Sequence, residues 1–185
     1  PEEGSAEVVE VGSAMGPSTG EGAAATLEEA EESAWTEIEQ RLQSMPPYDF
    51  QALVAGLLRA MGYYVSWVSP PGPDKGLDIM ATHDPLGTTA PRIKVQVKRR
   101  GEKVNAEGLR AFMALLGEQD VGIFVSTGGF TSEAESEART QEKRRITLLD
   151  LEKLFDLWVG HYDKIAEADR RLLPLRPVYY LAPVD

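Results

Sequence analysis

Apolar residues recur along this chain with two periods, and the alternation between the periods outlines its architecture. Leu27, Ala30, Ala34, Ile38 and Leu42 are spaced three or four apart, which predicts a helix over 26–45. Thr26 is its expected N-cap, and Met45-Pro46-Pro47 ends it because proline cannot continue a helix. Phe50, Leu53, Val54, Leu57, Leu58 and Met61 repeat the pattern, and Gly62 is placed to close that helix. From Tyr63 to Val68 the residues are β-branched and aromatic and predict a strand. Pro70 to Gly76 reads as a loop, Leu77 to Ala81 as a second strand, and Asp84 to Pro91 as a turn region.

Arg92 to Lys98 shows the cleanest alternation. Ile93, Val95 and Val97 face one way, and Arg92, Lys94, Gln96 and Lys98 face the other. A helix is expected over 105–116, with Leu109, Phe112, Met113 and Leu116 on one side. Val121 to Ser126 is an apolar run of strand length, followed by a Gly128-Gly129 turn. Ser132 with Glu135 predicts a capping box for a helix to about Lys143. Ile146 to Leu149 is a last strand and Leu151 to Val159 a last helix. This order predicts an α/β fold with helices on both faces of a mixed sheet.

Composition adds boundaries. Residues 1–25, rich in Gly, Ala, Ser and Glu, read as an acidic linker or tail. Residues 26–47 form an accessory helix, 48–160 the compact core, and 161–185 a C-terminal extension lying across it. At 185 residues, one domain with a real core is expected. There is no cysteine, which excludes disulfides and cysteine-held zinc and suits a reducing, cytoplasmic location. No apolar run is long enough to span a membrane. The chain begins at Pro1, not Met, which leaves room for a longer parent protein.

Net charge is −11, which argues against nucleic acid until its distribution is seen. Residues 1–47 hold eleven Glu against Arg41 alone, whereas residues 48–185 hold 18 Lys and Arg against 19 Asp and Glu. Within the core, Arg92, Lys94, Lys98, Arg99, Arg100 and Lys103 cluster against Glu102. Such a cluster suits a phosphate backbone, the more so for lying beside Gln96 and Lys98; the alternative is an exposed strand and turn. Lys143-Arg144-Arg145 reads as the end of a helix, where cations favour the dipole.

The candidate chemistry lies on two neighbouring strands. Asp78 is on one; Gln96 and Lys98, two apart, share a face of the next. A carboxylate, an amide oxygen and a backbone carbonyl can hold magnesium, and a lysine beside them can stabilise charge on a phosphate. The alternative is that Asp78 caps a turn while Gln96 and Lys98 lie on a solvated face. Ser126 to Ser132 is a turn that can offer N–H groups to an anion, though it carries neither a Walker nor a dinucleotide motif. His83 and His161 lack metal-ligand spacing, and Trp35, Trp67 and Trp158 suit packing, with Trp67 beside the proline-rich loop.

These pieces together resemble the catalytic core of the Mrr-like restriction endonucleases, a branch of the PD-(D/E)xK nucleases. The resemblance runs from about Phe50 to Leu151. It rests on Phe50-Gln51-Ala52-Leu53-Val54 and Met61-Gly62-Tyr63, on Asp74-Lys75-Gly76-Leu77-Asp78-Ile79, and on Val95-Gln96-Val97-Lys98-Arg99. It continues through Gly122 to Thr127, Phe130-Thr131 with Ala134, and Ile146 to Asp150. The resemblance implies a three-layer α/β/α fold and a metal-dependent DNA endonuclease of restriction type, acting on modified DNA. By residue, it implies that Asp78, Gln96 and the backbone of Val97 hold Mg²⁺, or Mn²⁺ in its place. Lys98 then acts on the attacking water or the scissile phosphate. Family members carry a Glu at or near Gln51, and Asp49 is a poor substitute because residues two apart do not share a helix face. With Gln at 51 and 96, Asp78 is the main formal charge for the metal, and Asp74 a second.

Lys94, Arg99, Arg100, Lys103, Ser126 and Thr127 are the expected DNA contacts. The partners implied are DNA, a second copy in a homodimer, and an N-terminal target-recognition domain missing from this sequence. Two other readings stay open: a nucleic-acid-binding module of the same fold without cleavage, and a structural or oligomerisation subunit.

Overall fold

The computed structural model describes residues 20–72, 76–142 and 144–178, with side chains from Thr26 onward. Expectations for residues 1–19, Asp74, Lys143, Tyr179 and Tyr180 lie outside these. The first helix, α1, is Gly20–Ser44, so it starts ahead of Thr26, which sits inside it and not at its cap. The sequence explains the extension, because Ala23, Ala24 and Ala25 are the strongest helix formers and Glu21 suits a first turn. The part of α1 up to Thr36 belongs to one compact unit, and Glu37–Val178 form the other.

In the second unit, α2 (Pro47–Ala60) carries its proline at the start, where a missing N–H costs nothing. Strands β1 (Tyr64–Val68), β2 (Ile79–Thr82) and β3 (Arg92–Lys98) follow. Helix α3 (Ala106–Met113) is capped by Asn105, whose side chain accepts from the Gly108 N–H. After β4 (Asp120–Ser126), α4 (Ser132–Thr140) is capped by Thr131 accepting from Ala134 N–H, one residue before the expected Ser132. Strand β5 (Arg145–Leu149), α5 (Leu151–Gly160), a 3₁₀ turn (Tyr162–Lys164) and α6 (Glu167–Arg170) complete it. Helix α4 ends at Thr140, so Arg144 and Arg145 do not close it. Arg145 opens β5, and Arg144 donates to the Met113 carbonyl at the C-terminal end of α3.

The five strands lie in sequence order, β1-β2-β3-β4-β5. The first two pairings are antiparallel and the last two parallel, so the sheet is mixed. Gln96 stands opposite Phe124, and Lys98 opposite Ser126. On that face Phe124 packs with Leu109, Phe112, Met113 and Leu116 of the α3 region and with Phe130 and Ala134. On the other face Ile79, Ala81, Ile93, Val95 and Val125 are buried. Helix α2 lies against β1 and β2, and α5 against β4 and β5. Phe50, Leu53, Leu57, Leu154 and Trp158 are fully buried, each worth about 1.5–3 kcal/mol relative to exposure.

The C-terminal segment is tied to the helices. Arg59 pairs with Asp169 at 3.1 Å, Arg41 Nε donates to the Leu172 carbonyl at 3.1 Å, and Leu173 is buried. A Cβ on Gly56 would lie 2.8 Å from the Asp169 carboxyl carbon, so a side chain there would force Asp169 out of this place.

Two carboxylates organise the strand ends. Asp84 accepts backbone N–H bonds from Thr88 and Thr89, which hold its carboxyl well below the usual range. Asp120, at the start of β4, meets Arg92 at 3.0 Å and Lys94 at 2.9 Å from the start of β3 and accepts from Gly117 N–H at 2.8 Å. Burial disfavours its charge, but the Lys94 and Gly117 hydrogen bonds and the two cations outweigh burial and lower its pKa. Since the folded value lies below the unfolded one near 4, its stabilisation is present above pH 4 and is lost as pH falls through the folded value. Asp120→Asn should therefore cost about 3 kcal/mol at pH 7 and progressively less in acid, measured by urea unfolding across that range.

Candidate active site at the fork between two strands

Strands β2 and β3 pair from Ile79 and Val95 onward and separate on the other side of that pair. Asp78 occupies the opening. Its N–H donates to the Val95 carbonyl at 2.9 Å, and its carbonyl accepts from Ser69 N–H at 2.7 Å. Its Oδ2 accepts from the Val97 N–H at 2.7 Å. The carboxylate thus substitutes for a strand at the point where β3 has lost its neighbour. Its position is set by backbone on both sides.

Gln51 reaches this point from α2. It is buried, and its Nε2 donates to the Ser69 carbonyl at 2.9 Å, with the Asp78 carbonyl at 3.5 Å. Its amide therefore clamps the backbone that carries Asp78. A cavity of about 220 Å³ opens here, lined by Tyr48, Gln51, Asp78, Val97, Lys98 and Arg100 among others. Tyr48, which sequence reasoning passed over, accepts from Gly72 N–H at 3.2 Å and holds the proline-rich loop at the rim. Only its place at the start of an apolar helix could have drawn notice.

Gln96 faces elsewhere. Being one residue out of step with Val97, it points to the α3 side of the sheet. It is 6% exposed, at a second cavity of about 540 Å³. Lys98 and Arg100 line both cavities. The structure thus brings Asp78, Val97, Lys98 and Gln51 to one cavity, and Gln96 with Lys98 to the next.

The expected DNA contacts divide. Arg100 and Lys103 are exposed beside the cavities. Lys94 is not at the surface of the site, because its Nζ is held by Asp120 and by the Leu115 carbonyl at 2.6 Å. Arg99 turns away, donating from Nη1 to the Gln43 carbonyl at 2.9 Å at the end of α1. Ser126 and Thr127 are buried, at 1% and 8% exposure. Thr127 Oγ1 donates to the Arg100 carbonyl and its N–H to the Lys98 carbonyl, so it is a brace under the basic turn. Gly128 completes the brace: a Cβ there would lie 2.4 Å from the Glu102 carbonyl oxygen. The Gly-Gly pair signalled a turn, but not this close approach.

The donors at the fork are oxygens, from the Asp78 carboxylate and the Val97 carbonyl, with the Gln96 amide on the adjoining strand face. That set suits a hard cation such as magnesium. Among the described residues no group of three His, Cys, Asp or Glu gathers around a common point. Among the described residues lining the smaller cavity, Asp78 is an acid.

Gln51→Glu tests the clamp. A carboxylate there loses the donor to Ser69 and faces two carbonyl oxygens. Without metal the variant should be about 1–3 kcal/mol less stable than wild type in urea unfolding. Equal stability would show that the Gln51 amide does not hold the loop.

A family model described as a restriction endonuclease, Mrr_cat, matches residues 42–158. The type IV methyl-directed restriction enzyme EcoKMrr of Escherichia coli K12 is 31% identical over 140 residues, covering 72% of this chain and 44% of that enzyme. Among solved structures, the MspJI restriction endonuclease in complex with a 27-mer oligonucleotide aligns at a TM-score of 0.49 and 21% identity. That alignment covers 90% of this chain and 37% of that one. A repair endonuclease from Pyrococcus abyssi aligns at 0.34 and 18%, covering 54% and 46%. This chain thus spans less than half the length of each of these proteins. With the family model matching more than half of its residues, the chain belongs to the restriction endonucleases of the Mrr catalytic type.

Proposed function

We propose that this chain is the cleavage module of a DNA endonuclease that hydrolyses phosphodiester bonds with the help of Mg²⁺. The observation that carries the reading is the carboxylate of Asp78 fixed on Val97 N–H in a cavity that Lys98 also lines. Asp78 and the Val97 carbonyl would hold the cation, with water in its remaining positions. When bound, it would supply charge stabilisation for the phosphate and a more acidic water.

The protein groups divide the remaining work. Gln51 keeps Asp78 in register through Ser69 and the Asp78 carbonyl. The Lys98 ammonium, at the wall between the cavities, stabilises negative charge as it builds on the phosphate oxygens. Arg100 and Lys103 place the strand by its backbone, without reading sequence. Modified DNA is the proposed substrate, since the matched E. coli relative is methyl-directed. Selection of the target is assigned to a further domain, and cutting of both strands to a second copy. Among the described residues no helix is long and apolar enough to cross a membrane. We place the chain in the cytoplasm with its DNA.

A rival reading, a DNA-binding module without cleavage, draws on the neutral Gln51, whose amide nitrogen already faces the loop carbonyls. Plasmid incubated with Mg²⁺ or Mn²⁺ separates the two. Wild type should nick or cut, and Lys98→Ala should be slower by at least about 100-fold. Equal products from both would sink the proposed role of Lys98. Binding without cutting would favour the rival. Asp78→Asn should also abolish the rise in melting temperature with Mn²⁺ that binding to the folded state produces. An unchanged rise would remove Asp78 from the metal site.

A further inference from the structure

Arg99 follows β3 directly and lines the smaller cavity, yet its charge is spent inside the molecule. Its Nη1 donates to the Gln43 carbonyl at 2.9 Å, 56 positions away in the chain. Gln43 lies in the last turn of α1, where carbonyls have no donor within the helix and the dipole favours a cation. Arg99 is thus a cap supplied to α1 from the catalytic strand. The cap is made at a cost, because Arg99 Nε is buried without an acceptor among the described residues. A side chain turned outward, like that of Arg100 beside it, would keep this N–H in water.

This bond closes a ring around the smaller cavity. Leu42 and Met45, at 1% and 7% exposure, seat the end of α1 in the core, and Pro46-Pro47 leads straight into α2. From α2, Tyr48 and Gln51 hold the proline-rich loop at Gly72 and Ser69. Ser69 N–H bonds the Asp78 carbonyl, and the Asp78 carboxylate takes the Val97 N–H. Two residues after Val97 the ring returns to Arg99, with Lys98 between them. Asp78 therefore anchors β3 on one side of Lys98, and Arg99 anchors it on the other. The Lys98 carbonyl itself is held by Thr127 N–H at 3.0 Å.

We propose that Arg99 is a positioning residue, which acts on cleavage through Lys98 and does not contact the DNA backbone. By fixing the residue after Lys98 to the α1–α2 junction, it sets how far the ammonium stands from the loop and strand that carry Asp78. This rests on the reading of the chain as a DNA-cleaving module in which Lys98 acts on the phosphate.

The test compares Arg99→Met, which keeps the length of the side chain without a donor, with Arg99→Lys, which restores one donor and the charge. Both are made in the whole chain, and urea unfolding shows that they fold. In Arg99→Met, kcat on plasmid with Mg²⁺ should fall about 10–100-fold with KM unchanged. Arg99→Lys should recover it to within about threefold, because Arg99 gives Gln43 a bond from Nη1 that one ammonium can replace. Binding of a labelled duplex without metal should keep its dependence on salt in Arg99→Met, whereas loss of a phosphate contact would flatten it by about one. Hydrogen exchange without DNA or metal gives a readout apart from activity: Val97 N–H should exchange at least about 10-fold faster in Arg99→Met. Should Arg99→Met fold poorly, Arg99→Gln, whose amide is too short to reach Gln43, takes its place with the same expectations. A wild-type kcat in an active Arg99→Met overturns this role and leaves the cleavage reading standing. A flattened salt dependence at unchanged kcat makes Arg99 a phosphate contact instead. Unchanged exchange at Val97 removes the ring on which the role rests. If the wild type does not cut DNA, the functional reading falls and this role with it.

Discussion

One backbone N–H organises the site. Val97 lies beyond the end of the β2–β3 pairing, so its N–H has no strand to bond to, and an unpaired donor in a half-buried position is costly. The Asp78 carboxylate satisfies it at 2.7 Å. The need to satisfy this donor fixes where the acid sits, and hence where a cation and a phosphate can meet it. Everything else supports that point: Gln51 from one face, the proline-rich loop through Ser69, and β4 through its seven-position parallel register with β3.

Much of this frame was legible in the pattern of apolar residues. Strand β3 was readable to the residue, because polar and apolar residues alternate without a break over its seven positions. Its neighbours were blurred by one or two residues at their ends, where pairing and caps decide and periodicity says little. Thr131 displaced Ser132 as cap, since the hydroxyl oxygen of either can accept a backbone N–H and only the chain's path selects between them. The start of α1 was missed because alanine and glutamate look like linker in a composition and like helix in a propensity scale.

The site was half legible. Alternation told that Gln96 and Lys98 share a face, but not that the sheet opens so as to give Asp78 and Gln96 different cavities. The basic cluster looked uniform in sequence and is not. Lys94 is used to neutralise Asp120 within the fold, and Arg99 to hold the end of α1. Arg100 and Lys103, just beyond the strand, remain exposed. Charge density along a chain cannot distinguish a cation already committed inside the molecule from one offered outward. Only the packing of distant residues, such as Asp120 and Gln43, does so.

Gly56 has a long reach along the chain. The space above it is filled by the Asp169 carboxylate, from a segment more than a hundred positions away. A side chain at 56 and the Asp169 side chain in this place exclude one another. Across related chains the two positions should therefore change together: wherever 56 is not glycine, the partner of Arg59 must be shorter, displaced or gone. A small residue on one helix turn thus records whether a chain carries this C-terminal clasp.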